Sequence, residues 1–139
     1  MNDPLTILIV DDDPDFAEST GSFLESRGHR VTRARDSDEG IELARAIHPD
    51  VIVMDVMMKE RTEGFFAIQE IRRIEGLSDV PVFAVSAIYT TEPGFDVPPD
   101  TGWLAHDEFF AKPVDLDELV RHIETRTAER LRARESGNA

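Results

Sequence analysis

Residues Val51-Ile52-Val53-Met54-Asp55 set four apolar residues in unbroken succession before a carboxylate. A branched apolar run with no polar alternation forms a strand only where both of its faces are covered, which demands a sheet enclosed between other layers. In open sheets of that kind ligands bind outside the carboxyl ends of the strands, so Asp55 is the leading candidate for a reacting group. The competing reading is an Asp that merely opens a turn. The rest of the chain decides between the two.

Leu5-Thr6-Ile7-Leu8-Ile9-Val10 is a second buried strand by the same logic, and it runs into Asp11-Asp12-Asp13-Pro14. Asp13 has a structural role, capping a helix whose first residue is Pro14 and whose apolar stripe is Phe16, Ala17, Thr20, Phe23 and Leu24. Asp11 and Asp12 have no such role, although an acidic solvated turn is the simpler alternative. Gly28 closes that helix as a left-handed cap, and Arg30 to Ala34 reads as a more polar strand nearer the sheet edge. Asp36 and Glu39 have capping-box spacing before a helix bearing Ile41, Leu43, Ala44 and Ile47. His48, beside Pro49, reads as a solvated connection and not a ligand.

After Asp55 comes a loop, then a helix marked by Phe65, Ile68, Ile71 and Ile74, then a fourth strand over Val80 to Val85 that ends on Ser86-Ala87. Residues 88 to 107 hold Pro93, Gly94, Pro98, Pro99 and Gly102, which excludes a continuous helix. Glu108-Phe109-Phe110-Ala111 is a fifth strand, followed by Lys112-Pro113. Asp115 and Glu118 start a last helix whose core residues are Leu116, Leu119, Val120 and Ile123.

Five strand and helix alternations imply one α/β domain, a mostly parallel sheet covered on both faces by right-handed crossovers. Asp11, Asp12, Asp55, Ser86 and Lys112 then all fall at carboxyl ends of strands. Composition narrows the class further. The 139 residues suffice for one core, and a formal net charge of -14 argues against a nucleic-acid or anionic-membrane surface. There is no cysteine, and neither a membrane-spanning run nor a signal-peptide pattern is found, so a cytoplasmic location is expected.

At these residues the sequence resembles the response-regulator receiver domain, the CheY-like module of two-component phosphorelay signalling. The stretches that carry the resemblance are Ile9 to Pro14, Pro49 to Met58, Val85-Ser86-Ala87 and Phe109 to Pro113, within residues 5 to 125. It implies a doubly wound, flavodoxin-like, five-stranded parallel sheet in the order 2-1-3-4-5 with helices on both faces. Residues 1–125 are then the receiver domain and 126–139 a solvated, mixed-charge extension of the last helix with a frayed tail.

The resemblance also implies roles. Asp55 matches the phosphoacceptor, a nucleophile toward a phosphohistidine on a sensor histidine kinase or phosphotransfer protein. Asp11, Asp12, Asp55 and the backbone carbonyl of Met57 match the ligands of one Mg²⁺ ion. Such a cation is needed because two carboxylates about 4 Å apart repel by about 4 kcal/mol at an effective dielectric near 20. Ser86, Ala87 and Lys112 match the phosphoryl-contacting positions, Pro113 the residue after a cis peptide, and Ser86 with Phe109 the switch pair. Ordinary strand core is the alternative for Phe109, since Phe110 beside it is equally apolar.

Three departures from the family pattern stand out. Lys59 occupies the place of a usual proline, Gly64 comes one residue late, and segment 88 to 107, with Trp103, replaces a regular fourth helix that is therefore expected to be short or irregular. Two other functions compete. One is a Mg²⁺-dependent aspartate-nucleophile phosphatase, disfavoured because Met57 cannot supply its general acid. The other is a receiver-like interaction module that is never phosphorylated. The expected protein is a signalling domain and not an enzyme, with an unknown downstream effector and room for a homodimer.

Overall fold

The computed structural model describes residues 4–55, 63–86, 108–111 and 114–135. The elements are β1 (Thr6–Val10), α1 (Pro14–Ser26), β2 (Arg30–Ala34), α2 (Ser37–Ile47), β3 (Val51–Asp55), α3 (Glu63–Ile71), β4 (Val82–Ser86), β5 (Glu108–Ala111) and α4 (Leu116–Glu135). The strands form one sheet in the order β2-β1-β3-β4-β5, and every pairing is parallel. Segment 88–107, where the short or irregular fourth helix is expected, lies outside the described residues.

The unbroken apolar runs divide by parity between two cores. Ile7, Ile9, Val51, Val53, Phe83 and Val85 pack with Ala17 and Leu24 of α1 and with Leu119, Val120 and Ile123 of α4. Leu8, Val10, Ile52, Met54, Val82 and Ala84 pack on the opposite face with Ala44 of α2 and Ala67, Ile68 and Ile71 of α3. Each of the Val, Leu, Ile, Met and Phe side chains contributes about 1.5–3 kcal/mol on burial. A strand buried on both faces tolerates no polar residue except at its end, which is where Asp55 stands.

The helix boundaries have local causes. Asp13 accepts hydrogen bonds from the amides of Asp15 (3.0 Å) and Phe16 (3.4 Å). Asp36 accepts from the Glu39 amide at 2.8 Å, while Glu39 reaches back to the amide of Arg35 at 2.7 Å, one residue before the cap. Asp115 accepts from the Glu118 amide at 3.1 Å. At the end of α1, Gly28 takes φ +92°; its amide donates to Glu25 O and that of His29 to Leu24 O, the paired bonds of a Schellman turn.

Two boundaries and the surroundings of one helix differ from expectation. β4 starts at Val82 and includes Ser86, since Pro81 has no amide hydrogen to give a ladder. Helix α3 stops at Ile71, and Ile74 is buried from the turn that follows. Beyond residue 125 α4 is not simply solvated. Thr127 is buried and donates to Ile123 O. The Arg130 side chain is 11 % exposed and donates to Asp79 Oδ1 (3.0 Å), Gly76 O (3.3 Å) and Asp50 O (3.4 Å). Its charge is matched by carbonyls and a carboxylate at the amino-terminal edge of the sheet, an arrangement that periodicity cannot reveal.

Candidate functional site

Val10 of β1 is in register with Met54 of β3, so the next residues, Asp11 and Asp55, reach the carboxyl edge of the sheet at the same level. Asp12 follows at the turn into α1. Carboxylate oxygens of Asp11, Asp12 and Asp55 lie within 4.8 Å of one another. Asp11 is 2 % and Asp55 5 % exposed, whereas Asp12 faces solvent. Asp11 is fixed from two sides: its amide donates to Ala34 O at 3.0 Å, and its Oδ1 accepts from the Asp13 amide at 2.8 Å. Two buried carboxylates and one exposed one, all hard oxygen donors, fit a cation of the Mg²⁺ or Ca²⁺ type and suit a thiolate- or imidazole-seeking metal poorly.

The other expected site residues are placed as follows. Ser86 ends β4, one position beyond Val85, which is paired with Asp55, and is itself in register with Ala111. Phe109 lies in β5 opposite Ala84. Its neighbour Phe110 stacks against Phe83 with ring centroids 6.1 Å apart and meets the His122 ring edge-on at 5.6 Å. Met57, Lys59, Ala87, Trp103, Lys112 and Pro113 lie outside the described residues. Gly64 is the second residue of α3. His48 is exposed with φ +47° at the end of α2, the connection it was expected to be.

A groove of about 570 Å³ adjoins the acid cluster on the β2 side. Asp11, Asp12 and Glu18 line one flank, and Arg33, Arg35 and Glu39 line the other. The Arg33 side chain lies across α1 at Gly21, where a Cβ would come within 2.2 Å of its Nη2. Its Nε donates to Ala17 O at 3.2 Å, and Glu18 and Glu25 stand 3.8 and 3.4 Å from the guanidinium.

Sequence reading missed the roles of three residues, His29, Arg33 and Gly21. His29 is buried, its Nδ1 accepting from the Leu5 amide at 3.1 Å and its Nε2 donating to Glu124 at 3.1 Å. A helix-closing glycine followed by a histidine carries no periodic signal. The Arg33 and Gly21 pair was detectable only as a glycine inside a helix, which usually marks close approach.

A doubly wound parallel sheet with an acid cluster at the carboxyl ends of its first and third strands defines the receiver class of signalling domains. The chain belongs to the response regulator receiver domain family, whose model matches residues 7–124. Protein PilH of Pseudomonas aeruginosa is 34% identical over 120 residues, covering 84% of this chain and 93% of that protein. The DNA-binding dual master transcriptional regulator RpaA of Synechocystis sp. is 32% identical over 120 residues, again 84% of this chain, but the match spans only 46% of RpaA. Among solved structures, the receiver domain of sensor histidine kinase PA1611 from Pseudomonas aeruginosa, with a magnesium ion coordinated in its active-site cleft, superposes with TM-score 0.76 at 27% identity, covering 91% of this chain and 99% of that one. A CheY-like receiver domain from Methanospirillum hungatei shares the fold, with TM-score 0.77 at 21% identity, 94% of this chain and 99% of the other. Receiver domains are signalling domains and not classical enzymes. Among the described residues no helix is long and apolar enough to cross a membrane.

Proposed function

We propose that Asp55 accepts a phosphoryl group from a phosphohistidine of a sensor histidine kinase or phosphotransfer protein, in a Mg²⁺-dependent reaction, and that the modified domain alters its binding to a downstream partner. The observation that carries this reading is the convergence of Asp11, Asp12 and Asp55 within 4.8 Å at one sheet edge. Such a cluster of one nucleophile and two further carboxylates stores repulsion that a bound divalent cation relieves. Asp11, Asp12, Asp55 and the Met57 carbonyl would hold that ion. When bound, Mg²⁺ supplies positive charge against both the carboxylates and the incoming phosphoryl oxygens.

In the transfer, a carboxylate oxygen of Asp55 attacks phosphorus, the P–N bond to the donor imidazole breaks, and the ring nitrogen leaves with the electron pair and takes up a proton. The product is an acyl phosphate on Asp55. The Asp13 amide holds one oxygen of Asp11 and so fixes that carboxylate at the sheet edge, where it would meet the cation. Ser86 donates a hydrogen bond to the phosphoryl group, Ala87 leaves access to it, and Lys112, before Pro113, adds a second cation. The added charge of roughly 1.5 to 2 units draws Ser86 inward and Phe109 after it. These five roles rest on the family resemblance.

Incubation with Mg²⁺ and acetyl phosphate tests the reading. A single phosphoryl adduct by intact mass, absent from Asp55→Asn and from EDTA-treated protein, is expected. Multiple turnover without an adduct would favour the phosphatase, and no reaction despite measurable Mg²⁺ binding would favour the unphosphorylated module.

A further inference from the structure

We infer that Arg35 is an electrostatic guide that draws anionic phosphodonors to Asp55, and so sets donor preference; this rests on the phosphoacceptor reading above. Arg35 follows Ala34, whose carbonyl accepts the Asp11 amide at 3.0 Å, so the two segments leave the sheet at the same edge. It lines the same groove as Asp11 and Asp12.

A phosphodonor approaching this edge meets an unfavourable field. The chain carries a formal net charge of -14, and the groove adds Glu18, Asp36 and Glu39 to the acid cluster. Among the described residues the groove has two cations, Arg33 and Arg35. Arg33 is engaged: its guanidinium lies over Gly21, bonds Ala17 O and is flanked by Glu18 and Glu25. Arg35 is 89 % exposed, and its ion pair with Glu39 is long, 3.9 Å. That Glu39 oxygen is already taken by the Arg35 amide at 2.7 Å. The Arg35 guanidinium is therefore the groove cation with charge to offer an incoming anion. Clefts focus such fields, and one well-placed charge changes encounter rates severalfold at low ionic strength.

The test compares phosphorylation rates from acetyl phosphate, a dianion at neutral pH, with those from phosphoramidate, which carries less negative charge. At low salt Arg35→Ala should slow acetyl phosphate labelling about threefold and Arg35→Glu about tenfold, with smaller effects on phosphoramidate and with Arg35→Lys close to wild type. In about 1 M salt, where the Debye length is about 3 Å, the differences should vanish. By the same field Mg²⁺ affinity should not fall in Arg35→Ala or Arg35→Glu, and all rates are compared at saturating Mg²⁺. Arg73→Glu makes the same change of net charge at the opposite edge of the sheet, after the end of α3, and should leave the rate unchanged. Equal rates for wild type and Arg35→Glu at low salt would overturn the inference, as would equal slowing by Arg73→Glu or slowing that persists in high salt. If wild-type protein takes up no phosphate from either donor, the phosphoacceptor reading itself fails.

Discussion

Asp11 and Asp55 face each other across the β1–β3 pair, brought level by the register of Val10 with Met54, with both side chains almost out of water. At no more than 4.8 Å apart, one pair of unit charges repels by at least about 3.5 kcal/mol at an effective dielectric near 20. Repulsion of this size costs stability that a bound divalent cation would restore. In EDTA, Asp55→Asn should be more stable than wild type by about 1 kcal/mol, a fraction of the Coulomb term because solvent and Asp12 share the charge. Mg²⁺ at 100 times its dissociation constant should stabilise wild type by about 2.7 kcal/mol and Asp55→Asn much less. Urea unfolding with and without Mg²⁺ checks both, and a variant less stable than wild type in EDTA would show that the cluster is not repulsive.

His29 ties the residue before β1 to α4 through one ring. The Leu5 amide is a donor, so Nδ1 must be the acceptor and Nε2 carries the proton that goes to Glu124. His29→Leu keeps most of the volume but leaves the Leu5 amide buried without a partner, which should cost about 2–3 kcal/mol. The ring sits at the amino-terminal start of β1, away from Asp55, so Mg²⁺ affinity and phosphorylation rate should be retained. Chemical denaturation alongside acetyl phosphate labelling separates the two effects.

The sheet and its acid cluster were legible because both depend on simple rules. An unbroken run such as Val51 to Met54 has to be covered on both faces, and parallel order then brings strand ends together, so the sequence alone pairs Asp11 with Asp55. The capping residues Asp13, Asp36 and Asp115 were legible for a similar reason, since a cap acts within three residues of itself. His29, Arg33 and Arg130 were not. Each makes its bonds to backbone carbonyls or amides far away in the chain, and the identity of those partners depends on which helix crosses which loop. No residue type at any spacing encodes that, and Arg130 accordingly read as one more solvated arginine.

Gly21, inside α1, and Gly28, just beyond its end, should respond differently to alanine. Gly28 is left-handed, with φ +92°, and nothing stands within 4 Å of an added Cβ, so Gly28→Ala meets a backbone penalty of about 1–2 kcal/mol. Gly21 is helical, and the atoms that an added Cβ would meet belong to the end of the flexible Arg33 side chain. Alanine gains about 1 kcal/mol of helix propensity there, while Arg33 gives up its bond to Ala17 O, worth about 1 kcal/mol, and two partly exposed ion pairs worth well under that each. Gly21→Ala should therefore stay within about 1 kcal/mol of wild type. Paired thermal unfolding curves decide it; a Gly21→Ala loss as large as that of Gly28→Ala would mean that the Arg33 clamp matters more than its exposure suggests.

Arg130 makes the end of α4 part of the domain. The family match stops at residue 124, yet the helix continues to Glu135, buries Thr127 and spreads the Arg130 guanidinium over Asp50 O, Gly76 O and Asp79. Those carbonyls belong to the connections that precede β3 and β4, so the helix end fastens the edge of the sheet opposite Asp55. Arg130→Ala should cost about 1–2 kcal/mol; Asp79→Ala should cost less than about 1, because the Asp79 side chain is half exposed and solvent replaces much of the pair. Truncation after residue 125 removes Thr127 as well and should lower stability by more than Arg130→Ala does. Urea midpoints for the three variants test the order, and a truncated protein as stable as the full chain would show that the contacts beyond the family boundary contribute nothing to the fold.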